Sequence, residues 1–136
     1  MRVGFQVPGE PQGKARAKST KGGIHYTPDN TVLYENLIKM EYQRQCGDAR
    51  FPSNAMLDMR IAAFYTIPKS AIQKKQQAMK DMTIRPTKKP DADNVLKVVA
   101  DALNQIAYRD DAQIVDAQIR KYYGEAPRLI ITIQQI

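Results

Sequence analysis

The chain has 136 residues, of which 43% are hydrophobic, and carries a formal net charge of +7. That is the size of one ordinary domain, residues 1–136, with apolar mass enough for a core unaided by disulfides or structural metal. A lone cysteine, Cys46, excludes an internal disulfide, and the chain shows neither a membrane-length apolar run of ~18 residues nor a signal-peptide core, so the expected setting is a soluble protein of the reducing cytoplasm. The segment RVGFQVPG alternates, with Val3, Phe5 and Val7 on one face, and predicts a short strand ended by Pro8-Gly9. EPQGKARAKSTKGG follows as an exposed loop. If extended, it sets Lys14, Arg16 and Lys18 on one side, which suits a phosphate backbone; a flexible basic loop that binds nothing fits equally well.

TPDNTVLYENLIKMEYQRQCG carries helix signals, with Val32 or Leu33, Leu37 and Met40 at helical spacing and Gly47 as the stop. AMLDMRIAAFYTIP predicts a strand with Leu57, Met59, Ile61, Ala63 and Tyr65 on one face. KSAIQKKQQAMKD is polar, basic and helical in pattern. MTIRPTKKP reads as a linker that carries Arg85, Lys88 and Lys89 up to an acidic stretch. A second strong helix is expected from Asn94 to about Ala107. AQIVDAQIRKYYG and RLIITIQQI close the chain as strands. The order β-α-β-α-α-β-β predicts one α/β (α+β) domain, a mixed β-sheet with helices packed on it.

Charge is divided unevenly. Residues 1–90 hold 16 Lys/Arg against 7 Asp/Glu, and residues 91–136 hold 5 against 7. A basic body beside an acidic cluster suits a polyanion partner and a cation-binding centre. Solubilising surface charge with no partner is the plain alternative.

The acids gather in KKPDADNVLKVVADALNQ. On a helical wheel from Asn94, Val95, Val99, Ala102, Leu103 and Ile106 form one stripe, while Asp93, Lys97, Asp101 and Asn104 lie opposite. Asp93 stands where an N-cap would, and Lys97 is four residues from both Asp93 and Asp101. Capping and a surface ion pair explain these two residues at about 0.5–1 kcal/mol each. Asp91 adds more. In extended backbone Asp91 and Asp93 project to the same side, and two close carboxylates repel unless a cation lies between them. Asp110 and Asp111 follow the helix, and Asp111 reaches the pair if the next strand runs back beside the helix start. Three carboxylates without histidine or cysteine form a hard oxygen site for Mg²⁺, with Mn²⁺ able to substitute. Such a metal polarises a phosphodiester and lowers the pKa of a bound water while a lysine stabilises charge. The residues therefore point to a metal-dependent nuclease, with a non-catalytic basic DNA-binding protein as the alternative.

The stretch KPDADNVLKVVADALN…YRDDAQIVDAQIRKYYG resembles the RusA family of Holliday-junction resolvases. The matching elements are Asp91-x-Asp93-Asn94, Lys97, Asp101-Ala102-Leu103-Asn104 and Asp110-Asp111-x-Gln113-Ile114. VPGEPQGKARAK looks, more loosely, like the family's first strand and basic loop, though GKARAK departs from the family's Arg-Pro-Arg run. Lys88-Lys89-Pro90 brings no aromatic to wedge into a junction. The resemblance implies a homodimer that makes paired symmetric nicks in branched DNA during recombination and repair, without an organic cofactor or a membrane. It assigns metal ligation to Asp91, Asp93 and Asp111, an essential charge to Lys97, and supporting places to Asp110 and to Asp101, which orients Lys97. A flap or duplex nuclease with the same site is the other possibility, and a phage origin in a bacterial host fits the family.

Overall fold

The structure, a computed structural model, describes residues 1–15, 18–26 and 28–136. The main strands are β1 (Arg2–Pro8), β4 (Leu57–Thr66), β5 (Ile114–Gly124) and β6 (Arg128–Gln135), and a small hairpin is formed by β2 (Lys18–Ser19) and β3 (His25–Tyr26). The helices are α1 (Asp29–Cys46), α2 (Gln73–Lys80) and α3 (Ala92–Ala102). The small hairpin apart, this is the expected order. Among the described residues no helix is long and apolar enough to cross a membrane.

The sheet order is β1-β6-β4-β5, with β6 antiparallel to both neighbours and β5 parallel to β4. The period-2 pattern explains why a one-sided core forms. Val3, Phe5 and Val7, then Leu57 to Tyr65 at every second residue, then Leu129, Ile131 and Ile133 are all buried on the face that α1 and α3 cover. Phe5 meets Tyr42 of α1 edge-to-face at 5.2 Å, a geometry favoured by the ring quadrupoles.

Two helices differ from expectation. The buried residues of α1 are Thr31, Tyr34, Ile38, Glu41 and Tyr42, whereas Val32, Leu33 and Met40 face solvent. The tyrosines outweigh the aliphatics here, and Glu41 is admitted because Arg44 pairs with it at 2.8 Å. Gly47 does end α1, at φ 67°, a left-handed position that glycine occupies without Cβ strain. Helix α3 begins two residues before Asn94 and stops at Ala102; Ile106 and Ala107 belong to the following turn.

Candidate active site

A parallel pair such as β4–β5 needs a crossover, and α3 lies in it. The crossover returns antiparallel to both strands. The amino end of α3 therefore sits at the carboxyl end of β4, and its carboxyl end at the start of β5. At the first pole Tyr65 donates to the Pro90 carbonyl at 2.8 Å, which pins the segment before α3 to β4. The Tyr65 hydroxyl is pushed up to about 12 by burial, then by Glu10 and Asp91. Gly13 packs against the same turn. A Cβ there would lie 2.9 Å from the Asn94 Cβ and 3.0 Å from the Pro90 Cβ, so only glycine lets the amino-terminal loop lie this close. Lys14 N–H donates to the Asn94 carbonyl at 2.9 Å and completes the dock.

Asp91, not Asp93, occupies the N-cap position, and its side chain makes no capping bond. Asp93 lies inside the first turn of α3. The expectation that both project from extended backbone is corrected accordingly. Both are exposed, and among the described residues neither joins an ion pair.

The second pole carries most of the built structure. Lys97 Nζ stands 3.7 Å from Asp101 Oδ2, and the Asp93 side of Lys97 shows no ion pair among the described residues. Asp101 also takes Lys14 Nζ at 3.4 Å, and Lys14 bonds Glu35 of α1 at 3.0 Å. Burial alone would lower the Lys14 ammonium, but Glu35 and then Asp101 hold it above its ordinary value. Lys14 thus points inward rather than along a free basic loop. Asp111 reaches this pole, not the helix start: its N–H donates to Asn104 Oδ1 at 2.8 Å. Asp110 caps the 3-10 turn Asp111–Gln113, accepting from Ala112 N–H at 3.3 Å. Gln113 accepts from Arg109 and Asp110 N–H and donates to the Pro52 and Ala55 carbonyls. Asn104 and Gln113 are residues whose work sequence alone did not assign. They set the turn that presents Asp111.

Burial first, then hydrogen bonding to Asp110 and the charge of Asp101, holds the Asp111 carboxyl above its ordinary 3.8, while Asp110, accepting that hydrogen bond, is lowered. A carboxyl that keeps its proton more tightly when folded than when unfolded makes stability fall as pH rises from 3.8 upward. Asp111→Asn, melted in chelator, is therefore expected to be a few degrees more stable than wild type at pH 7, the gain shrinking as pH falls toward 3.8. A variant less stable at pH 7 than at pH 4, relative to wild type, would refute this strain.

The poles are separated by the 11 residues of α3, about 16 Å at 1.5 Å per residue. Asp91 and Asp111 thus sit at opposite ends of one helix. Among the described residues no three His, Cys, Asp or Glu side chains stand ready to hold a metal. The donors suit a hard divalent ion in chemistry, but one copy does not bring Asp91, Asp93 and Asp111 together. Of the other expected DNA contacts, Arg85 lies over the Tyr122 ring at 4.5 Å, Lys88 Nζ lies 5.8 Å from the Tyr123 ring centroid, and Lys89 is exposed. Arg16 and the side chain of Lys18 lie outside the described residues. A cleft of about 560 Å³ between Phe64, Met82, Tyr123 and Arg128 lies away from these carboxylates and holds none of them.

Comparison with known proteins places the chain in a family. The chain is 32% identical over 140 residues to the uncharacterized protein YqaN of Bacillus subtilis, an alignment spanning 98% of this chain and 96% of YqaN. Residues 8–134 match the family model of endodeoxyribonuclease RusA, from the β1 strand end through the acidic helix to the last strand. The chain belongs to the RusA endodeoxyribonuclease family.

Proposed function

We propose that this protein is a Mg²⁺-dependent endodeoxyribonuclease, with Mn²⁺ able to substitute, that resolves four-way DNA junctions as a homodimer in recombination and repair in the cytoplasm. The observation that carries the dimer is the division of the carboxylates between the two ends of α3. A second copy, related by a two-fold axis across the helix, brings the Asp91–Asp93 end of one α3 beside the Asp111 end of the other. Each dimer then has two equivalent centres, which suits paired nicks in the two opposed strands of a two-fold substrate.

In this reading Asp91 and Asp93 of one copy and Asp111 of the other would hold the cation, which when bound polarises the phosphodiester and activates water. Lys97, exposed midway along α3 and steadied by Asp101, sets a positive charge beside the phosphate. Asn104 and Gln113 orient Asp111 through its backbone turn, which Asp110 caps. The Gly13–Lys14 dock fixes the backbone of the amino-terminal loop beside the Asp91 end.

The test is cleavage of a labelled four-way junction beside a matched linear duplex, with Mg²⁺, with Mn²⁺ and with chelator. Paired symmetric nicks in the junction, absent in chelator, are expected. Equal nicking of linear duplex would favour a general duplex nuclease. Binding without cleavage in every metal would reduce the protein to a DNA-binding module.

A further inference from the structure

We infer that the open face of the sheet, on the side away from α1 and α3, is a second DNA-backbone contact. The cross-strand register lays this face out in rows. Arg128, Phe64 and Tyr122 are directly opposed in one row; Ile130, Ala62 and Arg120 form the next; Thr132, Arg60 and Gln118 form the third. Rows lie about 7 Å apart and strands about 4.8 Å apart. With Arg85 at the end of the first row, four guanidiniums share these rows and no carboxylate does. Asp58 and Asp116 are opposed in the row beyond, Asp58 is engaged by Arg60 Nε at 3.2 Å, and Glu125, which lines the cleft beside Phe64 and Arg128, is paired with Lys80 at 3.6 Å.

Two of the guanidiniums are held in place by stacking. Phe64 and Tyr122 stack at 5.5 Å with 28° between planes. Arg128 covers the outer side of that pair 4.2 Å from the Phe64 centroid, and Arg85 covers Tyr122 at 4.5 Å. One N–H of each is fixed to backbone, Arg128 to the Ala126 carbonyl at 2.7 Å and Arg85 to the Lys121 carbonyl at 2.8 Å. A guanidinium stacked on its plane keeps its remaining N–H groups in that plane, fixed for a phosphate at little further entropic cost. Arg60 and Arg120 are exposed beside them.

The charge pattern selects the occupant. On this face four guanidiniums outnumber Asp58 and Asp116, so a second copy seated on it by two-fold symmetry would meet net like charge. A nucleic-acid backbone is complementary and needs no apolar surface. The face lies across the sheet from α3, so the phosphates it holds are not those at the α3 carboxylates. They belong to another arm or strand of the same branched substrate. The inference thus rests on the DNA-cleaving reading above.

The test is junction binding in chelator as a function of salt, comparing wild type with the double variant Arg60→Gln, Arg120→Gln. Neither residue belongs to the aromatic stack. Two lost phosphate contacts are expected to lower the slope of log K against log salt by about 2, and to weaken binding on the order of tenfold to a hundredfold at 0.1 M salt. The pair Arg60→Lys, Arg120→Lys keeps the charge and is expected to keep the slope, which separates lost contacts from lost fold. A double variant with wild-type slope and affinity overturns the proposal. So does an unchanged slope with an altered sedimentation state, which would make the face a protein interface. Wild type that binds no junction at all sinks this inference and the parent reading together, whereas a failing face on a binding, cleaving protein sinks the inference alone.

Discussion

Asp93→Asn is expected to bind a four-way junction within about twofold of wild type yet to nick it at least ~100-fold more slowly, since losing even a group behind a metal ligand costs up to about that much. The size of the effect follows from what Asp93 does not do for the fold. It is exposed, it lies in the first turn of α3, and it makes no ion pair among the described residues. Asparagine has the same shape, so the structural loss is confined to a helix-dipole contribution of about 0.3–1 kcal/mol. What disappears is one anionic oxygen donor for a hard cation. Gel-shift affinity and nicking rate measured on one preparation separate the two roles. Nicking by Asp93→Asn at the wild-type rate would remove Asp93 from the site and, with it, the metal reading of the α3 amino end.

How much of this was legible beforehand depends on which physical signal each element carries. The strands were legible because a one-sided sheet imposes a strict period of two, and Val3, Phe5, Val7 and Leu57 through Tyr65 obey it. Helix α1 was legible as a helix but not in its orientation. Its buried face includes Thr31 and Glu41, each admitted by a polar partner: Thr31 accepts from the Ala15 N–H, 16 residues away, and Glu41 pairs with Arg44 one turn on. Hydrophobic spacing alone does not mark such polar residues as buried. The start of α3 was misplaced for a related reason, because Asp91 and Asp93 both carry N-cap chemistry and neither uses it.

The site residues were legible as types, and their grouping was not. Whether Asp111 lies beside Asp91 or beside Asp101 depends on the direction of β5, and no local signal encodes that. The parallel pairing of β4 with β5 decides it, by forcing α3 to run antiparallel between them. Lys14 is the same kind of case. Its neighbours in sequence read as a free cationic loop, yet Glu35 and Asp101, 21 and 87 residues away in sequence by number, draw it inward. The motif residues Asn104 and Gln113 show the converse: Asn104 accepts from the Asp111 N–H, and Gln113 ties the Arg109–Asp110 backbone to the Pro52 and Ala55 carbonyls, which explains why the acidic motif carries amides.

A mixture of two inactive variants is expected to recover activity. Asp93→Asn alone and Asp111→Asn alone each inactivate both centres of a homodimer, because every centre uses one of each residue. The division of the carboxylates between the ends of α3 makes the outcome of mixing depend on how the centres are built. If each centre draws Asp93 from one copy and Asp111 from the other, a dimer of the two variants places both substitutions in one centre and leaves the second centre wholly native. Random exchange makes about half of the dimers mixed, each with one working centre of two, so on the order of a quarter of wild-type nicking should return. The products should be single nicks rather than paired cuts, because the partner centre in every mixed dimer is dead. If each centre is instead built within one copy, every centre in the mixture still carries a substitution, and nicking stays at the level of the separate variants. Co-expressed variants with distinct tags, purified through both, give the mixed dimer free of either parent. A tandem-purified mixed dimer that fails to nick a junction in Mg²⁺ or Mn²⁺ refutes the shared centre and requires Asp111 to reach Asp93 within one chain, across the length of α3.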